Sequence, residues 1–179
     1  MIKLNIGCGW RNFGNDWVHI DGGDYEHLDH QDVSKLPHED NTVDLIYSSH
    51  MIEYFDRQEV VDILEEWYRV LKPNGILRIA VPNFSTMCWL YEKGDIKLNQ
   101  ILGPLYGKME MGEKTIYHKT VYDFDSLSQL LKECKFGEIS KYNWRDTEHA
   151  EFDDYSQAYI PHMDKDNGTL ISLNVEATK

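Results

Sequence analysis

The sequence predicts an α/β protein built on a Rossmann-like, mostly parallel sheet. Residues 43–48 and 76–81 are short apolar runs, and between them apolar residues recur at helical spacing along residues 60–71. A strand, an amphipathic helix and a strand in this order form a βαβ unit, in which the two strands lie parallel. Residues 2–8 form a further β-branched run that stops at a Gly-Cys-Gly turn, as a buried strand does.

The connection between the first two predicted strands is unusually short. Residues 17–21 alternate apolar and polar side chains and end at Asp21, before two glycines. Residues 9–16 alone separate this second strand from the first, whereas a parallel crossover ordinarily takes about a dozen residues or more. We therefore expect the first crossover helix to be short or absent.

The second half of the chain predicts one more helix and two strands. Asp125 is the predicted N-cap of an amphipathic helix that ends at Gly137. Residues 138–144 and 169–177 have the composition of strands, and an irregular acidic loop joins them. Because no helix separates them, we expect a C-terminal antiparallel strand pair at one edge of the sheet.

Length and charge limit the classes of function. The 179 residues suit one domain, 1–179, and a hydrophobic content of 41% is that of a folded protein. The 18 basic and 31 acidic residues leave a net charge of −13, which repels the phosphates of nucleic acids and of anionic lipids. We expect neither a nucleic acid nor a membrane as a partner.

Cysteine usage and the lack of an apolar span predict a cytoplasmic protein. Cys8, Cys88 and Cys134 are an odd set without the spacing of a disulfide framework or of a zinc site. No stretch approaches the ~20 apolar residues of a membrane span, and no targeting segment is recognisable before the first strand. These observations favour a reducing compartment and predict no metal.

The glycine turn after the first strand predicts a ligand site. In open α/β sheets, ligands bind at the carboxyl ends of the strands, where a backbone without side chains allows close approach. Asp21 ends the next strand, where an acidic side chain can accept both hydroxyls of a ribose. By itself, the Gly-Cys-Gly sequence is equally consistent with a tight turn that binds no ligand. Asn12 replaces the third glycine of a nicotinamide fingerprint, which disfavours a nicotinamide-dependent enzyme.

Four ordered motifs give the sequence a family resemblance. LNIGCG, WVHID, DVSKLPHEDNTVDLIYSSHMIEYF and LEEWYRVLKPNGILRIAVPNF resemble the class I S-adenosylmethionine-dependent methyltransferases of the small, type 11-like kind. The resemblance implies S-adenosylmethionine as the cofactor. It also implies a cofactor site at the ends of the first three strands, made of Asn5, Gly7, Cys8, Gly9, Asp21, Asp32, Val33, Ser48 and Ser49.

The resemblance assigns a part of the cofactor to each of these segments. The glycine turn lines the methionine and ribose portions, and Asp21 holds the ribose hydroxyls. Asp32 and Val33 border the adenine. Ser48 and Ser49 lie close to the sulfonium. Most members of the family carry an acid two residues before the first glycine, where this sequence has an asparagine.

Two histidines are candidates for the chemistry at the methyl acceptor. His50 and Glu53 lie three residues apart in a predicted helical turn, so they share a face. With an ordinary pKa near ~6.5, His50 suits a general base or an acceptor-orienting group. The alternative is that His50 caps the turn and Glu53 is solvated or ion-paired. His118 is the second candidate, because its segment folds over the acceptor in the family that the sequence resembles.

The resemblance predicts methyl transfer to a small molecule or a glycan. Residues 83–122 show neither strand nor long helical periodicity, and we expect this insertion to cover the acceptor. Its five lysines and four acids leave it nearly neutral, which favours an uncharged or cationic acceptor. The Asn/Asp-Pro-Pro-aromatic tetrapeptide of nucleic-acid amino methyltransferases is missing. One alternative function stays open, an inactive nucleoside-binding module that serves as a partner or regulatory subunit. The sequence also leaves open whether the protein forms a homodimer.

Overall fold

Six strands form a central sheet, and helices and two small two-stranded sheets surround it. The computed structural model describes residues 1–179. In chain order the elements are β1 (Lys3–Ile6), β2 (Val18–Ile20), β3 (Val43–Ser49), α1 (Glu59–Val70), β4 (Leu71–Pro82), α2 (Phe84–Glu92), α3 (Leu98–Tyr106), β5 (Met109–Met111), β6 (Lys114–Ile116), α4 (Phe124–Glu133), β7 (Gly137–Lys141), β8 (Tyr159–Ile160), β9 (Thr169–Leu170) and β10 (Ser172–Thr178). Single 3-10 turns lie at Ile52–Tyr54, Trp144–Asp146 and Tyr155–Gln157.

The central sheet has the strand order β2-β1-β3-β4-β10-β7. The first four strands pair in parallel, and β10 pairs antiparallel with both β4 and β7. The predicted α/β class, the mostly parallel sheet and the antiparallel pair at one edge are confirmed. The predicted strand at 169–177 is divided, because β9 pairs with β8 in a separate sheet and β10 alone joins the central one.

The predicted helix between β3 and β4 packs on one face of the sheet. Its buried residues are Val60, Ile63, Leu64, Trp67 and Val70. They belong to the main core, a cluster of 24 buried residues that includes side chains of β1, β3, β4, β10 and α4. β4 begins at Leu71, earlier than the predicted residue 76, because residues 72–75 form an irregularity inside the strand.

No helix connects β1 to β2, as the short link predicts, and an aromatic layer covers the sheet there. Phe13 and Trp17 of the link form an edge-to-face pair with ring centroids 5.4 Å apart. Phe13 also stacks on Tyr47 of β3. Its ring centroid lies 4.3 Å from that of Phe152, which belongs to the acidic loop of residues 145–168, here called the late loop. Since side chains alternate along a strand, Tyr47 points into this layer and the neighbouring Ile46 points into the core under α1.

Residues 83–122, where the sequence shows neither strand nor long helical periodicity, form short regular elements in the structure. They contain α2, α3 and a hairpin of β5 and β6. Apolar side chains lie on several sides of α2, with Phe84 and Trp89 exposed, so the sequence shows no single apolar stripe. Gly103 and Pro104 lie inside α3 and do not end it. None of the helices has both the length and the apolar character that crossing a membrane requires.

The N-cap of α4 is Asp123, and the prediction of Asp125 is wrong. The Asp123 carboxylate accepts a hydrogen bond from the Ser126 amide at 2.8 Å. Ser126 Oγ accepts one in return from the Asp123 amide at 3.0 Å. This reciprocal capping box selects the first of the two aspartates, because Asp125 has no partner three residues ahead in the same arrangement.

Removing the Phe13 ring should destabilise the protein strongly. Phe13 is 5% exposed, so Phe13→Ala leaves a cavity in the aromatic layer, and we expect the free energy of unfolding to fall by about 3–5 kcal/mol. Urea denaturation measures the change. Trp10→Ala is the control, since Trp10 is 70% exposed and its removal should cost less than about 0.5 kcal/mol. Equal effects of the two variants would show that the aromatic layer does not replace the missing helix.

Candidate functional site

The glycine turn lies at the carboxyl end of β1 and has one packed and one open position. Gly7 and Gly9 adopt left-handed φ angles of 74° and 57°. The Gly7 amide donates to the Ile20 carbonyl at 2.7 Å, and a Cβ on Gly7 would overlap the Met51 side chain. No atom lies within 4 Å of the place that a Cβ on Gly9 would take. The backbone at Gly9 is therefore fixed in shape and accessible to a ligand.

Asp21 ties this turn to the end of β2. One of its carboxylate oxygens accepts from the Gly9 amide at 2.8 Å, and the other accepts from the Gly23 amide at 2.7 Å. Each oxygen has a further lone pair, so the carboxylate can still accept hydroxyl hydrogens. Asp21 thus positions the open glycine and presents acceptor capacity beside it.

Three polar side chains at this end of the sheet each have one atom without a hydrogen-bond partner. They are Asn5 Nδ2, Ser48 Oγ and Ser49 Oγ, all buried. Buried polar atoms in native proteins are normally hydrogen-bonded, and an unpaired one costs free energy. Asn5 is the penultimate residue of β1, and the two serines end β3. By the strand register, Asn5 and Ser49 lie on the sheet face of Tyr47, and Ser48 lies on the face of Ile46. Their unpartnered atoms are suited to a polar ligand at this edge.

The remaining predicted cofactor residues make local contacts. Asp32 is exposed, and its carboxylate accepts from the Ser34 amide at 2.9 Å. The Val33 carbonyl accepts from Trp67 Nε1 at 3.1 Å, and the Val33 side chain packs against the main core. Burial and the nearby Asp21 raise the pKa of Cys8 to about 12, so this residue lines the turn as a neutral thiol.

Directly after β3, a buried carboxyl group lies between the two candidate histidines. Glu53 is 0% exposed, and neither of its carboxyl oxygens has a hydrogen-bond partner. Its Oε1 lies 3.6 Å from His50 Nδ1 and 3.7 Å from His118 Nε2. The structure therefore brings His50 and His118 together across 68 positions of sequence, and it contradicts a solvated Glu53. No group of three or more His, Cys, Asp and Glu side chains is arranged to hold a metal ion.

Hydrogen bonds on the far sides of the two rings identify their tautomers. His118 Nδ1 lies 3.0 Å from the Pro104 carbonyl oxygen, which can only accept, so Nδ1 carries the hydrogen. His50 Nε2 lies 3.2 Å from Ser172 Oγ. The Ser172 hydroxyl donates to Asn174 Oδ1 at 2.8 Å, and it therefore accepts from His50 Nε2. Both histidines consequently turn an unprotonated nitrogen toward Glu53.

Burial favours the uncharged form of each titratable side chain in this cluster. It raises the pKa of Glu53 to about 8. Burial and the neighbouring charges of His118 and Arg11 lower the pKa of His50 to about 3, and burial lowers the pKa of His118 as well. At pH 7 Glu53 holds a proton and both imidazoles are uncharged.

Several contacts fasten the insertion to this edge of the sheet. The Tyr54 hydroxyl donates to the Gly107 carbonyl at 2.7 Å, and the His118 ring fills the space that a Cβ on Gly107 would take. The Glu53 carbonyl accepts from the Lys119 amide at 2.8 Å. Residues 104–119 thus close over the cluster from the side of α3.

Comparison with known proteins identifies the fold that carries this geometry. Residues 15–79 match the family model of a methyltransferase domain. A solved S-adenosylmethionine-dependent methyltransferase from Methanosarcina mazei is 18% identical, with a TM-score of 0.59 over 99% of this chain and 92% of its own. The fold is that of the S-adenosylmethionine-dependent methyltransferases. Another such enzyme, from Archaeoglobus fulgidus, is 14% identical, with a TM-score of 0.61 over 99% of this chain and 86% of its own.

A third solved structure shows the same methyltransferase fold with ligands. It is the 1,6-didemethyltoxoflavin-N1-methyltransferase of Burkholderia thailandensis, with bound 1,6-didemethyltoxoflavin and S-adenosylhomocysteine. Its sequence is 13% identical, with a TM-score of 0.57 over 99% of this chain and 70% of its own. Among curated proteins, none matches the sequence significantly.

Within the methyltransferase fold, three residues of the site went unnoticed in the sequence. The Tyr155 ring lies 5.5 Å from the His50 ring, and the Arg11 guanidinium lies 5.1 Å from the Tyr155 ring. Arg11 also lies 4.8 Å from the Trp10 ring. The position of Trp10 and Arg11 directly after Gly9 could have indicated that they belong to the site. No local sequence feature indicates Tyr155, because it lies in the late loop, far along the chain.

The aromatic residues of the insertion divide between surface and core. Besides Phe84, five aromatic rings lie in the insertion, and all are tryptophan or tyrosine. Tyr122 is 6% exposed and belongs to the main core. The other four are at least half exposed: Trp89, Tyr91, Tyr106 and Tyr117. Core packing therefore accounts for Tyr122 alone.

The buried Glu53 should make the stability of this methyltransferase fold depend on pH. Above an ordinary Glu pKa of 4.5 the unfolded chain has released the proton that the folded protein keeps up to about pH 8, so rising pH favours unfolding. Unfolded histidines are still half protonated near pH ~6.5 and contribute a slope of the opposite sign, so the contribution of Glu53 is the difference in slope between the wild type and a variant without this carboxyl group, up to ~1.4 kcal/mol per pH unit below about pH 8. Urea denaturation at several pH values measures this slope.

Glu53→Gln should remove the contribution of Glu53 to the slope, because glutamine does not titrate. Glu59→Gln is the matched control: Glu59 is exposed, and its pKa is lowered by the Asp56 amide and Lys119, so its proton is lost at lower pH in both states. The slope of that control should equal the slope of the wild type. A slope unchanged in Glu53→Gln would contradict a protonated Glu53.

Proposed function

We propose that this protein transfers the methyl group of S-adenosylmethionine to a small-molecule or glycan acceptor. The observation that carries the proposal is the edge of the sheet at Gly9, where an open glycine lies beside the Asp21 carboxylate. This edge lies at the carboxyl ends of the parallel strands, where open α/β sheets bind their ligands. The fold is one in which S-adenosylhomocysteine is bound in a solved relative.

The residues present fit this cofactor. Asp21 has free lone pairs for ribose hydroxyls, and the open side of Gly9 admits the methionine and ribose portions. Asn5, Ser48 and Ser49 are proposed to bond its polar groups. Cys8 borders it as a neutral thiol, and Asp32 with Val33 is proposed to border the adenine. The sulfonium supplies an already activated methyl group, so the chain needs to bind, align and exclude water.

His50 is proposed as the group that meets the acceptor. In the tautomer that these contacts indicate, Nε2 carries the hydrogen, so His50 in this form orients an acceptor by donating to it in place of Ser172 Oγ. His118 is proposed to support this role from the opposite side of Glu53 and to hold the insertion in place. The insertion, residues 83–122, is proposed as the acceptor cover, because its contacts close over the cluster and its exposed aromatic rings suit an uncharged ring system or a sugar.

The alternative of a catalytically inactive nucleoside-binding module is not favoured. The solved relatives are methyltransferases, and one of them carries both S-adenosylhomocysteine and a small-molecule substrate. A cytoplasmic location stays a prediction from the three free cysteines. A homodimer also stays open.

The first experiment measures cofactor binding. Isothermal titration of the wild type with S-adenosylmethionine and S-adenosylhomocysteine should show binding, and Asp21→Ala should weaken it at least about tenfold, because two charge-assisted hydrogen bonds that shape the turn are lost. Asp24→Ala is the control, since Asp24 is exposed and close in sequence. No binding by the wild type would rule out the proposed cofactor.

The second experiment separates catalysis from binding. His50→Ala should keep its affinity for S-adenosylhomocysteine and lose methyl transfer by about 100-fold or more. Transfer of labelled methyl groups to a panel of small-molecule and glycan acceptors measures the turnover. His162→Ala is the control, because His162 is exposed on the late loop. Equal turnover in His50→Ala and in the control would exclude His50 from the chemistry.

A further inference from the structure

Glu53 has a place in the site that neither cofactor binding nor acceptor orientation explains. It is fully buried, and no group of the protein donates to or accepts from its carboxyl oxygens within hydrogen-bond distance. Two imidazole nitrogens face one of these oxygens from different segments, at 3.6 Å and 3.7 Å. These distances exceed a hydrogen bond by a few tenths of an ångström, so a small rotation of the carboxyl group reaches either ring.

The protonation state of Glu53 allows two hydrogen-bond arrangements with His50. When Glu53 is protonated, it can donate to His50 Nδ1, and the ring then carries its hydrogen on Nε2, as the contact with Ser172 shows. When Glu53 is ionised it can only accept. The ring must then carry its hydrogen on Nδ1 to satisfy the buried carboxylate, and Nε2 becomes a free lone pair.

We propose that Glu53 is a positioning residue whose protonation selects the tautomer of His50. Protonated Glu53 keeps His50 as a donor at Nε2, and ionised Glu53 turns it into a base at Nε2. His118 faces the same carboxyl oxygen from the other side, and its Nε2 can accept the Glu53 hydrogen but cannot donate one, since its own hydrogen lies on Nδ1 at the Pro104 carbonyl. The insertion that carries His118 therefore takes part in setting the state of His50.

This role rests on the proposed function and extends it. With Glu53 ionised, the proton that an acceptor hydroxyl or amine releases goes to His50 Nε2 while the bond from the acceptor to the methyl carbon forms and the sulfur–methyl bond breaks. The ring then carries hydrogens on both nitrogens, and the Glu53 carboxylate neutralises it. With Glu53 protonated, the same ring only binds the acceptor.

The other groups that face the cluster do not exchange protons in the same range. Tyr54 and Tyr122 lie near Glu53, and burial raises the pKa of both hydroxyls above the ordinary value. Arg11 and Tyr155 lie on the His50 side, where Arg11 stays charged. Ser172 Oγ donates to Asn174 Oδ1 and keeps its hydrogen there, so the Nε2 lone pair stays available to the acceptor. A change of tautomer between neutral and mildly alkaline pH is therefore assigned to Glu53.

Long-range proton–nitrogen NMR of protein labelled with ¹⁵N-histidine reports the tautomers directly. Spectra from about pH 6.5 to about pH 9 should show the hydrogen of His50 on Nε2 at the acid end and on Nδ1 at the alkaline end. His50→Gln and His118→Gln assign the two rings. The change should share its midpoint with the ¹³C titration of the Glu53 carboxyl group in the wild type.

In Glu53→Gln the amide can still donate to Nδ1 but does not titrate, so His50 should keep its hydrogen on Nε2 at every pH. Tyr122→Phe is the control, because it removes a buried neighbour of Glu53 and should leave the tautomer change intact. A hydrogen on Nδ1 at the acid end, or a change that persists in Glu53→Gln, would overturn the proposal.

The wild-type midpoint comparison needs no variant, so it remains decisive if Glu53→Gln fails to fold. Different midpoints for the carboxyl group and for the tautomer would overturn the proposal. A lack of S-adenosylhomocysteine binding in the titration experiment would instead overturn the proposed function, and it would leave the tautomer result as it stands.

Discussion

The burial of one carboxyl group, Glu53, connects the parts of this protein that the chain holds far apart. Its backbone carbonyl accepts from the amide of Lys119, and its side chain faces His118, so the insertion is fastened to the sheet at this residue. Through His50 and Ser172 the same group reaches the start of β10. A charge in this place would be costly, and the protein keeps it neutral by burial. Glu53 consequently connects three parts of the molecule: the edge of the sheet, the insertion and the last strand.

The short link between β1 and β2 has a second consequence for the site. Without a crossover helix, the sheet face at Tyr47 needs another cover, and Phe13 and Phe152 supply it from two distant segments. The late loop is therefore part of the core as well as part of the site. Arg11 Nε donates to the Asp153 carbonyl at 2.9 Å, which fixes the loop beside the glycine turn. The same loop therefore contributes both to the stability of the sheet and to the surroundings of the glycine turn.

Most of the cofactor edge could be predicted, because its residues lie at strand ends and strand ends have strong local signals. The glycine turn and Asp21 follow short apolar runs, and both lie where the pattern indicates. The structure differs from the local sequence signals at the N-cap of α4 and in the insertion. Reciprocal bonding with Ser126, rather than the presence of an aspartate, decides the N-cap. The helices of the insertion bury a small cluster of their own around Met87, and their remaining apolar side chains stay exposed, which hides the helical period.

The sequence by itself determined the fold class, the parallel strand order around the βαβ unit, the missing first crossover helix and the glycine turn. Each of these depends on periodicity or spacing within about a dozen residues, which local chemistry controls. The tertiary structure alone decided that His50 and His118 share Glu53, and that Tyr155 completes their surroundings. These contacts join segments far apart in the chain, and the proton states that follow from them depend on burial. Burial is a property of the packed molecule, and no stretch of sequence expresses it.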